Sequence, residues 1–262
     1  MKNIHPLISE WASFEAKAAP FLLTGDEILL EPRASSRLTV THTSWEGFIA
    51  DQGFGDPADR RFHLGLLPKP FAGDLMAASI VVLLLNPGMG PSDYYGEYQV
   101  ASYRKALLQN LSRNHSGGRN IFLDPAFAWH GGFSYWHAKF QKIVGELADF
   151  LDIARTESLA IFAAQVAILE FIPYHSTVSK VPLRITKQLR SPMLAKQFVH
   201  DVLAPKAKKG EVLIIVTRYA KHWDLPESEN VIIYSSSEAR AAHLTPNSRG
   251  GAAILAMLKQ GA

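Results

Sequence analysis

Residues 79–93 read Ser-Ile-Val-Val-Leu-Leu-Leu-Asn-Pro-Gly-Met-Gly-Pro-Ser-Asp, and the fold is decided there. The run from Ile80 to Leu85 is apolar and uncharged, the pattern of a strand covered on both faces, as in a parallel sheet. It stops at Asn86-Pro87-Gly88. Pro87 fixes φ and has no N–H, and Gly88 and Gly90 admit positive φ and close backbone approach. A polar side chain and bare amides are thereby offered at the carboxyl end of a central strand, where open α/β sheets bind their ligands.

Working outward, three further apolar runs end in polar groups. Val166 to Ile172 passes through Glu170 into Pro173-Tyr174-His175-Ser176. Glu211 to Thr217 ends at Arg218, and Val231 to Tyr234 leads through Ser235-Ser236-Ser237 towards His243. Helical patterns fall between and after them, at Val100 to Leu111, His137 to Leu151, Glu157 to Ala164, Met193 to Leu203 and Gly250 to Lys259. Strands alternating with helices predict an α/β fold, a three-layer α/β/α domain with a four-stranded parallel sheet over residues 76–262. Residues 1–75 read differently, with a short helix over Leu7 to Ala18 capped by Ser9 and β character at Glu27 to Leu30 and Arg37 to Thr43. They are taken as an N-terminal elaboration packed on the core.

Composition narrows the function classes. The 262 residues are 47% hydrophobic and 19% charged, enough for a sizeable core. The absence of cysteine excludes disulfides, thiolate zinc sites and cysteine-ligated iron–sulfur clusters. His5, His115, His130, His137 and His200 lack paired metal-ligand spacing, so neither metal nor cofactor is expected. No apolar run reaches the roughly 18–20 residues of a membrane span, and the opening MKNIHPLISEWASFEAK is too polar for a secretory signal. A cytoplasmic monomer with no membrane partner is expected. The net charge of +3 mildly favours a polyanionic partner. Arg184, Lys187 and Arg190 read either as a solvated face, the commoner case, or as a DNA-facing stripe.

A second informative stretch is His243-Leu244-Thr245-Pro246-Asn247-Ser248-Arg249-Gly250. Taken with Asn86-Pro87-Gly88, it resembles the second signature of the uracil-DNA glycosylase superfamily, and LNPGMGPSD is similar to the Asn-Pro-Gly motif of its mismatch-specific uracil/thymine branch. The strand ending at Glu170 resembles the family strand that ends in a base-reading asparagine, and Val212 to Thr217 followed by Arg218-Tyr219-Ala220-Lys221 resembles its third strand and helix start. The likeness covers about residues 79–262.

The resemblance implies an enzyme that flips a base out of DNA and hydrolyses its N-glycosidic bond. Such a reaction builds positive charge on the sugar and negative charge on the departing base, so it needs water placed beneath C1′ and donors at the base oxygen. In the family's terms Asn86 holds the water and His243 donates to the base. Ser92, Thr245, Asn247, Ser248 and Arg249 meet the DNA backbone. Pro87, Gly88, Tyr174 and His175 line the base pocket, and Tyr98, with Tyr94 or Tyr95 as substitutes, stacks on the base. No lysine stands in a Schiff-base position, so the expected product is an abasic site without strand cleavage.

Two departures from the family pattern bear on the substrate. Glu170 replaces the asparagine, and a carboxylate, which only accepts, suits the N4 amine of cytosine better than uracil. Removing ordinary cytosine would destroy the host genome, so the expected substrate is a modified cytosine, such as the glucosylated hydroxymethylcytosine of some phage DNA, in a phage-defence role. Asn247 stands where the family often has an apolar wedge, for which Trp129 and Phe133 are the alternatives. Competing readings are a uracil or thymine-mismatch repair glycosylase and a catalytically silent protein that binds modified DNA. Glu170 is equally readable as a capping or ion-pairing carboxylate.

Overall fold

A computed structural model describes residues 4–31, 38–112, 120–178 and 183–261. The chain divides into two compact units. The first gathers the described residues of Met1–Phe71, Leu85–Asn114 and Glu170–Phe198, and the second those of Ala72–Leu84, His115–Leu169 and Val199–Ala262. The N-terminal residues share the first unit with the chain that follows two of the apolar strands.

Among the described residues there are seven strands: β1 (Thr39–Val40), β2 (Phe62–His63), β3 (Phe71–Ala72), β4 (Ile80–Leu84), β5 (Val166–Glu170), β6 (Leu213–Val216) and β7 (Val231–Ile233). The last five form one sheet in the order β3-β5-β4-β6-β7. It belongs to the second unit except for the terminal residues Phe71 and Glu170. β4 pairs with β6 in parallel, Ile80 opposite Leu213, and β6 pairs with β7 in parallel, Ile214 opposite Val231. β5 and β6 are buried along their whole length, as two-sided coverage requires.

The sheet has five strands where four were expected. The addition, β3, is two residues long, too short for any periodicity to mark it. Just after it Gly73 has φ +84°, and a Cβ there would stand 2.7 Å from the Val166 carbonyl oxygen, so only glycine lets the chain pass β5 this closely.

Helices of the second unit cover apolar surface in the ordinary way. The helix Gly131–Leu151 starts earlier than its sequence pattern, because His130 caps it by accepting the Gly132 N–H at 2.9 Å. It buries Trp136, Phe140, Ile143, Val144 and Leu147, and packs on Arg155–Gln165 through Phe140 and Phe162, whose ring centroids are 4.8 Å apart. Arg249–Gln260 packs on the same helix and on β6.

In the first unit Glu27–Leu30 is a 3-10 turn instead of a strand, and β1 and β2 make a small parallel pair. The first helix is Pro6–Ala12, capped by His5 instead of Ser9, and it packs on Arg190–Phe198. Buried Asp26 accepts from Tyr174 Oη and from the Arg190 and Ser191 amides, stitching the N-terminal residues to residues 170–198. The three tyrosines after Asp93 are helical: a helix runs over Pro91–Gln99 and a second over Ala101–Leu111. Pro91 at its first position and Asp93 at its third, accepting the Gly90 N–H at 2.9 Å, start the earlier helix.

Candidate active site

Where β4 and β5 pass into the first unit, their ladder continues. Ile172 N donates to Leu85 O at 2.7 Å and Ser176 N to Pro87 O at 3.3 Å. On its other side the same segment bonds residues 63–70, through Glu170 N to Pro70 O, Lys69 N to Pro173 O and His63 N to His175 O, at 2.8, 2.8 and 2.9 Å. Residues 170–176 thus lie between two strands' worth of backbone, and the Asn86 turn is built onto them.

Asn86 is buried, and its Nδ2 donates to Pro87 O at 3.0 Å and to Tyr174 O at 3.3 Å. Two carbonyl acceptors select the nitrogen for that side of the amide, which fixes its rotation and turns Oδ1 the other way. Gly88 O accepts from His175 Nδ1 at 2.8 Å. Met89 packs with Tyr98 and Trp45 against Phe48, Leu66 and Tyr94. Asn86, Pro87, Gly88, Tyr174 and His175 are therefore brought together.

The remaining predicted residues of this unit have their own environments. Tyr174 Oη donates to Asp26 and accepts the Leu23 N–H at 3.1 Å, so its ring is a structural tie and its contact with Asn86 is made by its backbone carbonyl. Tyr98 Oη donates to Gly65 O at 2.6 Å, and its ring stacks on Tyr94 at 6.0 Å, so this tyrosine is part of the unit's own aromatic core. Tyr94 is fully buried against Phe48, with ring centroids 4.1 Å apart. Tyr95 is 45% exposed. Ser92 lies half-buried in the first turn of Pro91–Gln99.

Glu170 changes the chemistry expected of it. Its side chain is buried, Oε2 has no hydrogen-bond partner among the described residues, and burial raises its pKa well above the ordinary carboxylate value. Burial thus favours its protonated form, which has one donor and one acceptor where a carboxylate only accepts.

The second unit holds the other motif. Tyr234 Oη donates to His243 O at 2.5 Å, and Lys139 Nζ donates to Ala242 O at 2.8 Å; the imidazole of His243 is exposed. Ser248 caps the helix Arg249–Gln260, accepting the Gly251 N–H at 3.1 Å and donating to Thr245 O at 2.8 Å. A Cβ on Gly251 would fall 1.9 Å from Thr245 O, so the loop is folded against the helix through a glycine backbone. Arg249, assigned to phosphate, is instead paired with Glu227 and Glu238 and bonded to Ile233 O. Asn247 is exposed, Trp129 is 44% exposed, and Phe133 stacks on His137 at 5.3 Å. Of the basic stripe, Arg184 and Lys187 are exposed, whereas Arg190 is bonded to Glu10.

Sequence reading passed over three groups that lie beside the turn: Lys69, Asp93 and Glu97. Lys69 donates to Asp93 Oδ1 at 2.8 Å and lies 4.0 Å from Glu97 Oε1. Burial pulls its ammonium down, but Asp93, Tyr103 and Glu97 outweigh that and hold its pKa above the usual value. Burial pushes Glu97 up to about 7. The signal was present, since a lysine between Pro68 and Pro70 in an otherwise apolar stretch needs a partner, and Asp93 sits at a capping-box position.

Among the described residues no helix is long and apolar enough to cross a membrane, and no group of three or more His, Asp or Glu side chains is placed to hold a metal ion. No protein-family model, curated protein or solved structure matches this chain.

Proposed function

We propose that this protein hydrolyses the N-glycosidic bond of a modified base flipped out of DNA and leaves an abasic site. The observation that carries the reading is the Asn86 amide, pinned through Nδ2 on two backbone carbonyls at the carboxyl end of a central sheet strand. An amide held this way offers Oδ1 as an oriented acceptor for water but cannot take its proton strongly, so catalysis rests on positioning and on the leaving group. In the reaction the C1′–N bond breaks with its electron pair on the base, the water oxygen bonds C1′, and the proton shed by water ends on the base.

In this reading Glu170 acts in its protonated form, which its burial favours, and reads the base with two hydrogen bonds. Against cytosine its O–H donates to N3 and its carbonyl oxygen accepts from the N4 amine. A modified cytosine in foreign DNA is the substrate class this favours, because removal of the ordinary base would be lethal. The same neutral acid also matches uracil or thymine, donating to O4 and accepting N3–H, so a mismatch-repair glycosylase is the second reading.

Duplexes carrying uracil, a G·T mismatch, hydroxymethylcytosine or its glucosylated form, incubated with the protein and probed for alkali-labile sites, separate these readings. Excision confined to a modified cytosine, abolished by Asn86→Ala, is the expected result. Glu170→Gln, which keeps one donor and one acceptor, should retain excision, and Glu170→Leu should lose it. Excision that survives Asn86→Ala refutes the site; tight binding of one duplex with no excision by the unaltered protein refutes the enzyme. His243→Ala puts the corresponding question to the loop of the second unit.

A further inference from the structure

Beneath the Asn86 turn lies a set of buried polar groups that the proposed chemistry has not used. Lys69 is 4% exposed and its ammonium donates to Asp93 Oδ1 at 2.8 Å and to Tyr103 Oη at 3.2 Å. The other oxygen of Asp93 accepts the Gly90 N–H at 2.9 Å. His175, 1% exposed, has Nδ1 2.8 Å from Gly88 O and 3.8 Å from Asp93 Oδ1. A carbonyl oxygen only accepts, so Nδ1 carries a proton.

The two side chains therefore seize the turn by its backbone, His175 at the Gly88 oxygen and Asp93 at the Gly90 nitrogen, while Lys69 holds Asp93. Taking the Lys69 ammonium and the Asp93 carboxylate out of water is costly before their attraction offsets it. A segment that only led from the strand to the next helix would not need it. What the buried groups add is a fixed aim for the residue at the head of the turn.

We propose that Lys69, Asp93 and His175 form a buried relay that positions the Asn86 carboxamide. His175 serves as a neutral donor to Gly88 O. Burial lowers it to about 3, Lys69 and His63 push the same way, and Asp93 and the Gly88 carbonyl oppose them without prevailing. The relay rests on the proposed excision for its kinetic readout only, and a second readout is independent of it.

A misplacement of about 1 Å at an attacking group costs on the order of 100-fold in rate. In single-turnover excision, His175→Leu should lower the rate by about 100-fold while the dissociation constant for the duplex stays within about twofold. His175→Asn, whose amide nitrogen reaches the place of Nδ1, should recover at least about tenfold of that loss. A wild-type rate in His175→Leu, a loss of affinity equal to the loss of rate, or no rescue by asparagine overturns the relay.

If the unaltered protein excises nothing, the excision reading fails and nuclear magnetic resonance decides the relay alone. The His175 imidazole should be a single neutral tautomer protonated at Nδ1, and the Gly90 amide should exchange with solvent faster in Asp93→Ala than in wild type. The Nε2-protonated tautomer, or unchanged Gly90 exchange, refutes the relay.

Discussion

The Asn86 turn and the His243 loop are built from similar residues, each a polar group, a proline and glycines or serine after a sheet strand, yet they are held in opposite ways. Partners far away in sequence hold the first: Tyr174, His175 and Ser176 on one side, Asp93 and through it Lys69 on the other. Neighbours make most of the bonds that hold the second, where Ser248 bonds Thr245 and Gly251, Tyr234 bonds His243 O and Arg249 pairs with Glu238, and Lys139 alone reaches in from far away, to Ala242 O. Asn86 is buried and its supports are charged, whereas His243 is exposed. Position in the turn is therefore set by tertiary electrostatics, and position in the loop by helix capping and a glycine contact.

The sharpest way to break that contrast is to remove one carboxylate from each. Asp93→Ala leaves the Lys69 ammonium buried beside a vacated partner and should cost about 3–5 kcal/mol of unfolding free energy. Glu238→Ala removes one of two exposed partners of Arg249 and should cost less than about 1 kcal/mol. Urea unfolding at pH 7 measures both. Equal losses would mean that the Lys69 pair is hydrated like a surface pair and that the contrast is false.

Two buried histidines couple the first unit to pH. His63 and His175 are buried and neutral, held at about 4 and about 3 chiefly by burial. The unfolded chain binds their protons from about pH 6.5 downward while the folded one does not, so stability present at pH 7 is lost as pH falls from there through about 4 and 3. At pH 5 each histidine accounts for about 2 kcal/mol. The buried carboxyls Glu97 and Glu170, raised by burial, act with the opposite sign over the same range, so the histidine term is read as a difference: between pH 7 and 5 His175→Asn should lose about 2 kcal/mol less than wild type. Parallel profiles for the two proteins would place the His175 imidazole in contact with water.

How much of this was legible differs between the units for the same reason. β4, β5, β6 and β7 were readable because a strand covered on both faces must be a continuous apolar run, and such runs are local. The two-residue β3 has no period to read. The helix Pro91–Gln99 did carry its start signals, Pro91 and Asp93, but its tyrosines and Gly96 gave no apolar stripe. Asn86 was legible as a polar residue after a strand. What holds it was not, because Lys69, Asp93 and His175 meet only after residues 24 and 82 positions apart are folded together. Glu170 could be placed at a strand end, while its raised pKa depends on burial that no local pattern records.

The smallest effect tests the local side of the comparison. Ser248→Ala removes the acceptor for the Gly251 N–H and the donor to Thr245 O at the start of Arg249–Gln260, and should cost about 1 kcal/mol, as lost N-caps do. The helix is otherwise anchored by Ile254, Leu255 and Leu258, so the change should open the loop without unfolding the helix. Hydrogen exchange should then quicken at the Thr245 and Gly251 amides while that of Gly90 in the first unit stays unchanged. Faster exchange at Gly90 would show that the two motifs are coupled through the fold and that their separate modes of support are not independent.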